Sequence, residues 1–300
     1  MTTTVPTTAP ITAQVLLEKV SPRAGPMIIT VFGDTIAPRG GSIWLGSLID
    51  LMQPLGLSER LVRTGVYRLA REKWLRARQK GRRSFYTITK EGLGAFTDAD
   101  ARIYAAHAVA WDGKWVLVQT LANAAPQVRK KTRDLLTWHG FGQLSPTTMI
   151  KPGSDTGTVS QVLASAGLSD YSVTFTSDLA HSTNAHAVVA NGWNLQELAN
   201  AYQRLLNCFG DCARLATHSP RDAFVARSLL IHQYRRILLK DPQLPDELLP
   251  SDWNGEKARK LVARSYRDLT PPSDLFIVDI LREIDQKAPP LIQSYRNRFV

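Results

Sequence analysis

Only two cysteines, Cys208 and Cys212, occur in the 300 residues. No stretch approaches the roughly 18 predominantly apolar residues that a membrane-spanning helix needs. A disulfide framework and a spanning helix are therefore excluded as the basis of the fold. The two cysteines lie four residues apart in a helical pattern, which suits small buried hydrophobes on one face better than a bridge, and a reducing cytoplasm is expected. The first seventeen residues carry no charged side chain and are dominated by Thr, Pro and Ala. The basic and apolar regions of a secretory leader are both missing, so no export is expected. There is no Gly-x-Ser-x-Gly elbow, no glycine-rich phosphate loop, no dinucleotide-binding glycine fingerprint and no His-Glu-x-x-His. An enzyme is not expected. Cys208-x3-Cys212 with His218 lacks a fourth zinc ligand, and His107, His139, His181 and His186 show no ligand spacing, so neither metal nor cofactor is expected.

What the chain does have is a soluble composition, 44% apolar and 21% charged, with enough length for two or three domains. Its net charge of +11 is concentrated. Between Gly56 and Lys90 there are eleven Lys/Arg against Glu59 and Glu72, while the other 265 residues hold 26 basic and 24 acidic side chains. A basic excess confined to one segment is either a solvated face or a surface for a polyanion, because Lys and Arg neutralise phosphates.

The periodicity around that segment decides between them. Residues 1–22 read as a flexible tail. From Ala24 a helix is predicted, with Ile28, Val31, Phe32, Thr35 and Ile36 on one stripe, stopped by Pro38 and Gly40-Gly41. Ser42 offers an N-cap for a second helix bearing Trp44, Leu45, Leu48, Ile49 and Met52, and Ser58 caps a third that reaches about Glu72. In the third helix Val62, Val66 and Leu69 form the buried stripe. Arg60, Arg63, Thr64, Tyr67, Arg68 and Arg71 lie mostly on the other side. Two β-like runs follow, Trp74–Gln79 and Phe85–Thr89, around the basic turn Lys80-Gly81-Arg82-Arg83. Helices followed by a basic hairpin make a winged helix-turn-helix over 23–92, which presents its last helix to the major groove and its wing to the backbone or minor groove.

Downstream, 93–110 reads as a helical connector. Strand and helix signals then alternate βαββαβ over 111–190, the order of a ferredoxin-like domain. Residues 191–300 read as all helix: Trp193–Phe209, a helix opened by Ser219-Pro220-Arg221-Asp222 and running to about Lys240, one from Glu256 and another from Asp274. The expected fold is thus α+β multidomain, with a winged helix-turn-helix, a central ferredoxin-like domain that suits dimerisation, and an all-α C-terminal domain.

Several of these segments resemble the PaaX family of repressors of phenylacetate degradation operons. Val31-Phe32-Gly33-Asp34, Arg39-Gly40-Gly41 through Leu48, Glu59-Arg60-x-Val62-Arg63-Thr64 and Gly81-Arg82-Arg83-Ser84-x-Tyr86 resemble its DNA-binding domain. Trp111 to Trp115 resembles the start of its central domain. Leu230-Ile231-His232-x-Tyr234-Arg235-Arg236, with Asp241-Pro242 through Asp252-Trp253, resembles its C-terminal signature. The resemblance implies a homodimeric repressor released from double-stranded operator DNA by an aryl-CoA thioester, phenylacetyl-CoA being the family's effector.

Site residues are read with that in view. Arg63, Thr64, Tyr67 and Arg68 are the base-reading candidates, Tyr67 being equally able to pack at the rim. Arg60, Arg71, Lys80, Arg82 and Arg83 suit phosphates. In the C-terminal region, His232, Arg235 and Arg236 stand against apolar neighbours, where a cation needs a partner. Either Asp241, Asp246 or Glu247 folds back to pair with them, or an anionic ligand such as a CoA phosphate does, with Tyr234 or Trp253 near its rings. The alternative function is a metal-dependent nuclease on the central domain with Asp112 as ligand, although one acidic residue is too few for two-metal chemistry.

Overall fold

A computed structural model describes residues 11–104, 110–179, 184–285, 289–296 and 298–299. It is a mixed α/β structure with two antiparallel sheets, and the chain divides into two compact units. The first is drawn from Met1–Ala105, Gln203–Arg236 and Glu256–Val300, the second from Ala106–Tyr202 and Ile237–Gly255. Both ends of the chain therefore serve one core. The expected order of separate N-terminal and C-terminal domains is not how the contacts divide.

The first unit opens with a helix where a flexible tail was expected: α1 (Ala13–Val20), whose N-cap Thr12 accepts from the Val15 N–H and which buries Leu16 and Val20. A capping threonine and two apolar residues at i, i+4 spacing explain the order. Next comes α2 (Ala24–Val31), which widens into a π-turn over Phe32–Ile36 and tightens into a 3-10 turn, Ala37–Arg39, before Gly40 in the left-handed region. Ser42 is not a helix cap. It opens strand β1 (Ser42–Trp44), and the helix behind it, α3 (Leu45–Met52), starts three residues later. Three residues are too short to show alternation, so this strand was invisible in the pattern.

After α4 (Glu59–Arg71) the chain forms β2 (Leu75–Lys80) and β3 (Arg83–Ile88), with β3 between β1 and β2. Lys80 pairs with Arg83, so the turn is the dipeptide Gly81-Arg82, with Gly81 at φ +60° as a tight hairpin requires. Helices α2 and α4 touch at Gly65, where a Cβ would lie 2.5 Å from Ile28 Cδ1; only glycine allows this approach. The supposed connector is α5 (Lys90–Tyr104), and it belongs to the core: Phe96 packs on Gly33 and edge-on to Trp74, and Ile103 and Tyr104 are buried.

In the second unit, β4 (Trp115–Thr120), α6 (Pro126–Trp138), β5 (Gly142–Ser145), β6 (Thr148–Pro152), α7 (Thr156–Ser165) and β7 (Ser172–Ser177) follow the expected sequence, and the sheet runs β5-β6-β4-β7. Period-two alternation gives the sheet two apolar faces. Val116 and Val118 pack with Leu136, Met149 and Leu163, from α6, β6 and α7. Trp115 packs with Ile150, Val189, Leu244 and Leu248, the last two from the Asp241–Pro250 signature and Val189 from α8 (Ala185–Gly192). The proline-rich signature thus covers a sheet face rather than ending a helical domain.

The chain passes between units within α9 (Leu195–Phe209) and α10 (Pro220–Leu238), where Ser219 Oγ accepts from Asp222 N–H as the capping pattern predicts. Instead of two helices there is one, α11 (Gly255–Asp285), which runs through Pro271 and Pro272. The carbonyls those prolines cannot serve belong to Arg267 and Asp268, both exposed and so reachable by water, and the helix survives. The short α12 (Gln293–Arg296) closes the described chain.

At the centre of the first unit lies a charge cluster. Asp34, on the π-turn and 2% exposed, accepts at Oδ1 from Tyr104 (2.7 Å), Tyr266 (2.9 Å) and Arg298 (3.1 Å), and its Oδ2 lies 3.2 Å from Arg227 Nη2. Arg227, fully buried on α10, also reaches Asp274, and so does buried Arg39. Arg298 pairs with Asp100 and donates to the Gly33 and Asp34 carbonyls. Three arginines thus face three aspartates. Burial raises the pKa of Asp34, but the two guanidiniums and the tyrosine hydroxyls outweigh it and hold the carboxyl below its ordinary range. Removing one member strands a buried charge, which costs about 3 to 5 kcal/mol, more than the pair itself contributes. Arg227→Met and Asp34→Asn are each expected to lose stability of that order in denaturant unfolding. The double variant should lose clearly less than their sum, and simple additivity would show that the two side chains are not coupled.

Candidate nucleic-acid interface

Helix α4 sorts its residues as an amphipathic helix must. Val62, Gly65, Val66 and Leu69 are buried, and Arg60, Arg63, Thr64, Tyr67, Arg68 and Arg71 are all exposed, Tyr67 at 64%. That exposure removes the packing role considered for Tyr67. Ser58 stands at the N-cap without a side-chain cap bond. The helix's two acids hold two of its arginines: Glu59 Oε1 lies 2.6 Å from Arg63 Nη2 and 2.7 Å from Nε, and Glu72 lies 3.6 Å from Arg68. Exposed i, i+4 pairs add little stability but restrict the rotamers of both guanidiniums. Arg68 has a further support that the sequence did not reveal. A Cβ at Gly25 would fall 2.1 Å from its Nη2, so the guanidinium lies over a glycine of α2.

The hairpin starts directly after α4, with Trp74 N–H donating to Leu69 O. Lys80, Arg82 and Arg83 are exposed, as are Arg76 and Arg78 on β2. Adjacent arginines in the sequence have different settings. Arg82 sits at the tip of the turn, whereas Arg83 is paired in the strand with its guanidinium 5.2 Å from the Trp44 ring centre, and Trp44 lies over Gly46. Cation–π contact with Trp44 of β1 thus supports Arg83 beside the turn. The α4 set and the basic residues of the turn are thus all exposed.

The second candidate set is not brought together in the same way. His232, Tyr234, Arg235 and Arg236 lie on α10 in the first unit, and Trp253 belongs to the second, edge-on to Tyr202. His232 and Tyr234 are buried, Arg235 is half-buried and Arg236 exposed. Asp241 accepts from Tyr202 and from the Gln243 N–H. His232 Nδ1 lies 3.0 Å from Thr30 Oγ1, and Thr30 gives its single proton to Pro26 O. Nδ1 therefore carries hydrogen, and the imidazole is a donor to α2. Burial, then the charges of Arg236 and Arg235, push the His232 pKa down to about 4. Burial likewise lowers that of Arg235.

Cys212 is buried, its thiol pushed up to about 11 by burial, and half-buried Cys208 is raised for the same reason; both are free thiols. Helix α9 ends at Phe209, so the two do not share one continuous helix. His139, His186 and His218 are exposed, and His107 and His181 lie outside the described residues. Among the described residues no three His, Cys, Asp or Glu side chains gather as a metal site, and no helix is long and apolar enough to cross a membrane. Asp112 holds a turn, accepting from the Lys114 N–H.

Comparison with known proteins matches three family models in chain order: the PaaX-like protein model over residues 23–92, the PaaX protein central Cas2-like domain over 108–189, and the PaaX-like protein C-terminal domain over 193–279. The chain is 37% identical over 266 residues to the transcriptional repressor PaaX of Escherichia coli strain K12, covering 84% of this chain and 82% of that protein. Among solved structures it is similar to an uncharacterized protein of Mycobacterium tuberculosis, with a TM-score of 0.50 and 24% identity over 77% of this chain and 89% of that one, a likeness of fold.

The His232 geometry generates a pH test. In the unfolded chain this histidine binds a proton near its ordinary 6.5, and in the folded protein only near 4. Between those values the unfolded state holds the extra proton, so stability is complete above about 6.5 and falls as pH drops toward 4. The loss is roughly 3 kcal/mol at about 1.4 kcal/mol per pH unit. Denaturant unfolding of wild type and His232→Gln across this range should show a shallower slope in the variant; equal slopes would place the titration elsewhere.

Proposed function

Because the chain belongs to the PaaX-like family, we propose that it is a transcriptional repressor that binds double-stranded operator DNA through a winged helix-turn-helix over residues 23–92. The observation that carries this is that the basic residues of α4 and of the hairpin turn are all exposed. Its support in the fold is the arrangement of α2, α3 and α4 followed by a hairpin that extends strand β1, which is how a winged helix is built. The strand order β5-β6-β4-β7, with one helix after the first strand and one after the third, supports a ferredoxin-like reading of 111–190. We assign dimerisation to that domain. One recognition helix spans too few base pairs to define a site in a genome, and a two-fold dimer matches paired half-sites.

Arg63 and Arg68 are assigned to base edges, with Thr64 and Tyr67 beside them; Arg60, Arg71, Lys80 and Arg82 are assigned to phosphates. Arg83, engaged with Trp44, contributes to the phosphate surface and sets the wing's direction. The restricted rotamers of Arg63 and Arg68 favour this division, since a guanidinium already oriented loses less entropy on bidentate contact with guanine. Release from DNA is assigned to an aryl-CoA thioester such as phenylacetyl-CoA, whose phosphates are met by half-buried Arg235 and exposed Arg236. His232 and Tyr234 stand behind them on the same helix.

Two measurements test these assignments. Arg63→Ala should flatten the preference for operator over random DNA by ~1 to 3 kcal/mol, whereas Arg82→Ala should weaken both similarly and reduce the salt slope by ~1. An unchanged operator-to-random ratio in Arg63→Ala would remove α4 from base recognition. Titrating an operator complex with phenylacetyl-CoA, free CoA and phenylacetate should release DNA with the thioester alone, and Arg235→Ala should require more of it. A response of Arg235→Ala equal to wild type, or equal release by phenylacetate, would end the assignment of that face.

A further inference from the structure

Among the described residues of α4, one exposed side chain has no role in the division between bases and phosphates. Leu61 is 49% exposed and is the single aliphatic group on the side that carries Arg60, Arg63, Thr64, Tyr67, Arg68 and Arg71. The other branched aliphatic residues of the helix, Val62, Val66 and Leu69, are all buried. A lone exposed leucine is commonplace on a protein surface. This one stands on a face that otherwise offers cations and hydrogen-bonding groups, so whatever it adds to binding is of another kind.

Thr64, one turn further on, joins it. Its Oγ1 donates to the Arg60 carbonyl at 2.9 Å, so its single hydroxyl proton is spent within the helix. Toward a ligand Thr64 keeps a methyl group and an accepting lone pair, but no donor. Residues at i and i+3 are neighbours on a helix surface, so the leucine side chain and the threonine methyl lie side by side. Arg68, at i+7 from Leu61, falls on the same side of α4 and about 10 Å further along its axis. Its guanidinium is held by Glu72 and lies over Gly25.

We propose that Leu61, with the Thr64 methyl beside it, reads the 5-methyl group of a thymine in the operator. The inference rests on the repressor reading and adds to it a second base that α4 selects besides guanine. Of the groups that the four bases present in the major groove, the thymine methyl is the one apolar methyl, and apolar side chains meet it where donors and acceptors cannot. A recognition helix contacts bases mainly through its N-terminal residues, and Leu61 is the third residue of α4. Burying the leucine against the methyl removes hydrocarbon from water on both sides of the contact, and it does so only where a thymine stands. An axial offset of about 10 Å from Arg68 spans roughly three base-pair steps of 3.4 Å, so the thymine lies within about three base pairs of the guanine assigned to that arginine.

The experiment starts from a duplex that the full-length wild type selects out of randomised DNA. Each thymine of that duplex is then replaced singly by deoxyuridine, which removes the methyl and leaves every donor and acceptor in place. Wild type should lose about fourfold in affinity, the worth of one buried methyl group, at a thymine within about three base pairs of the guanine at which Arg68→Ala loses discrimination. Leu61→Ala should bind the thymine duplex more weakly and bind thymine and uracil equally at that position. Leu61→Met, which keeps an apolar side chain of similar volume, should retain the preference for thymine. Because Leu61 is exposed, both variants should melt with wild type. Failure to enrich any sequence would overturn the repressor reading and this inference together. An enriched sequence in which no deoxyuridine weakens binding, or a thymine-to-uracil ratio that Leu61→Ala leaves at the wild-type value, would overturn this inference alone.

Discussion

The first unit is organised around one carboxylate. Asp34 is almost wholly removed from water, and an isolated charge there is untenable, so the fold must bring it partners from wherever they lie in the sequence. They come from α5, α10, α11 and the C-terminal residues: Tyr104, Arg227, Tyr266 and Arg298. The wide separation of these residues in the chain explains why segments from its N-terminal and C-terminal thirds fall into one compact unit. A 23–92 fragment would retain Asp34 and lose all four partners. The π-turn that carries it fits the same constraint, since widening the helix at Phe32–Ile36 changes the direction in which Asp34 projects.

Much of this architecture was legible. Helices with strong apolar stripes, the capping of α10 by Ser219, the hairpin and the βαββαβ order were all expected, because burial of one face imprints a period on the sequence. The basic surface was also legible, as a local excess of charge on the unburied side of α4. The failures have physical causes. The strand Ser42–Trp44 is shorter than one alternation, and α1 looked like a tail because Thr and Pro dominate its approach. Helices expected from Glu256 and from Asp274 are one, continuous through Pro271-Pro272.

The charge cluster was missed for a different reason. Arg227 sits in an otherwise buried helix, Asp34 in a glycine-containing segment, and Arg298 beyond the last predicted element, and nothing local marks any of them as a partner of the others. Gly25 under Arg68 and Trp44 under Arg83 are of the same kind: each supports a guanidinium from another element. Sequence patterns report how a residue faces its own helix or strand, while pairing between elements is decided by tertiary approach. The exposure of the candidate residues could be read from the pattern, but their supports could not.

Tertiary approach of the same kind links α10, proposed to meet the effector, to α4, proposed to read DNA. Arg235 lies three residues from His232, which donates to Thr30 on α2, and α2 meets α4 where Ile28 closes on Gly65. Five residues before His232 on α10, Arg227 holds Asp34 at the end of the same helical segment. Two polar contacts therefore tie α10 to the element that supports α4, and both are buried, so neither can slacken without leaving a polar group unpaired. Close packing at Gly65 permits few intermediate positions, since any displacement of α2 must be matched by α4. A ligand on Arg235 and Arg236 changes operator affinity only by as much as it prefers one placement of α10 over another; a hundredfold release corresponds to about 2.7 kcal/mol of such preference. By linkage, the proposed release requires operator DNA to weaken the ligand by the same factor.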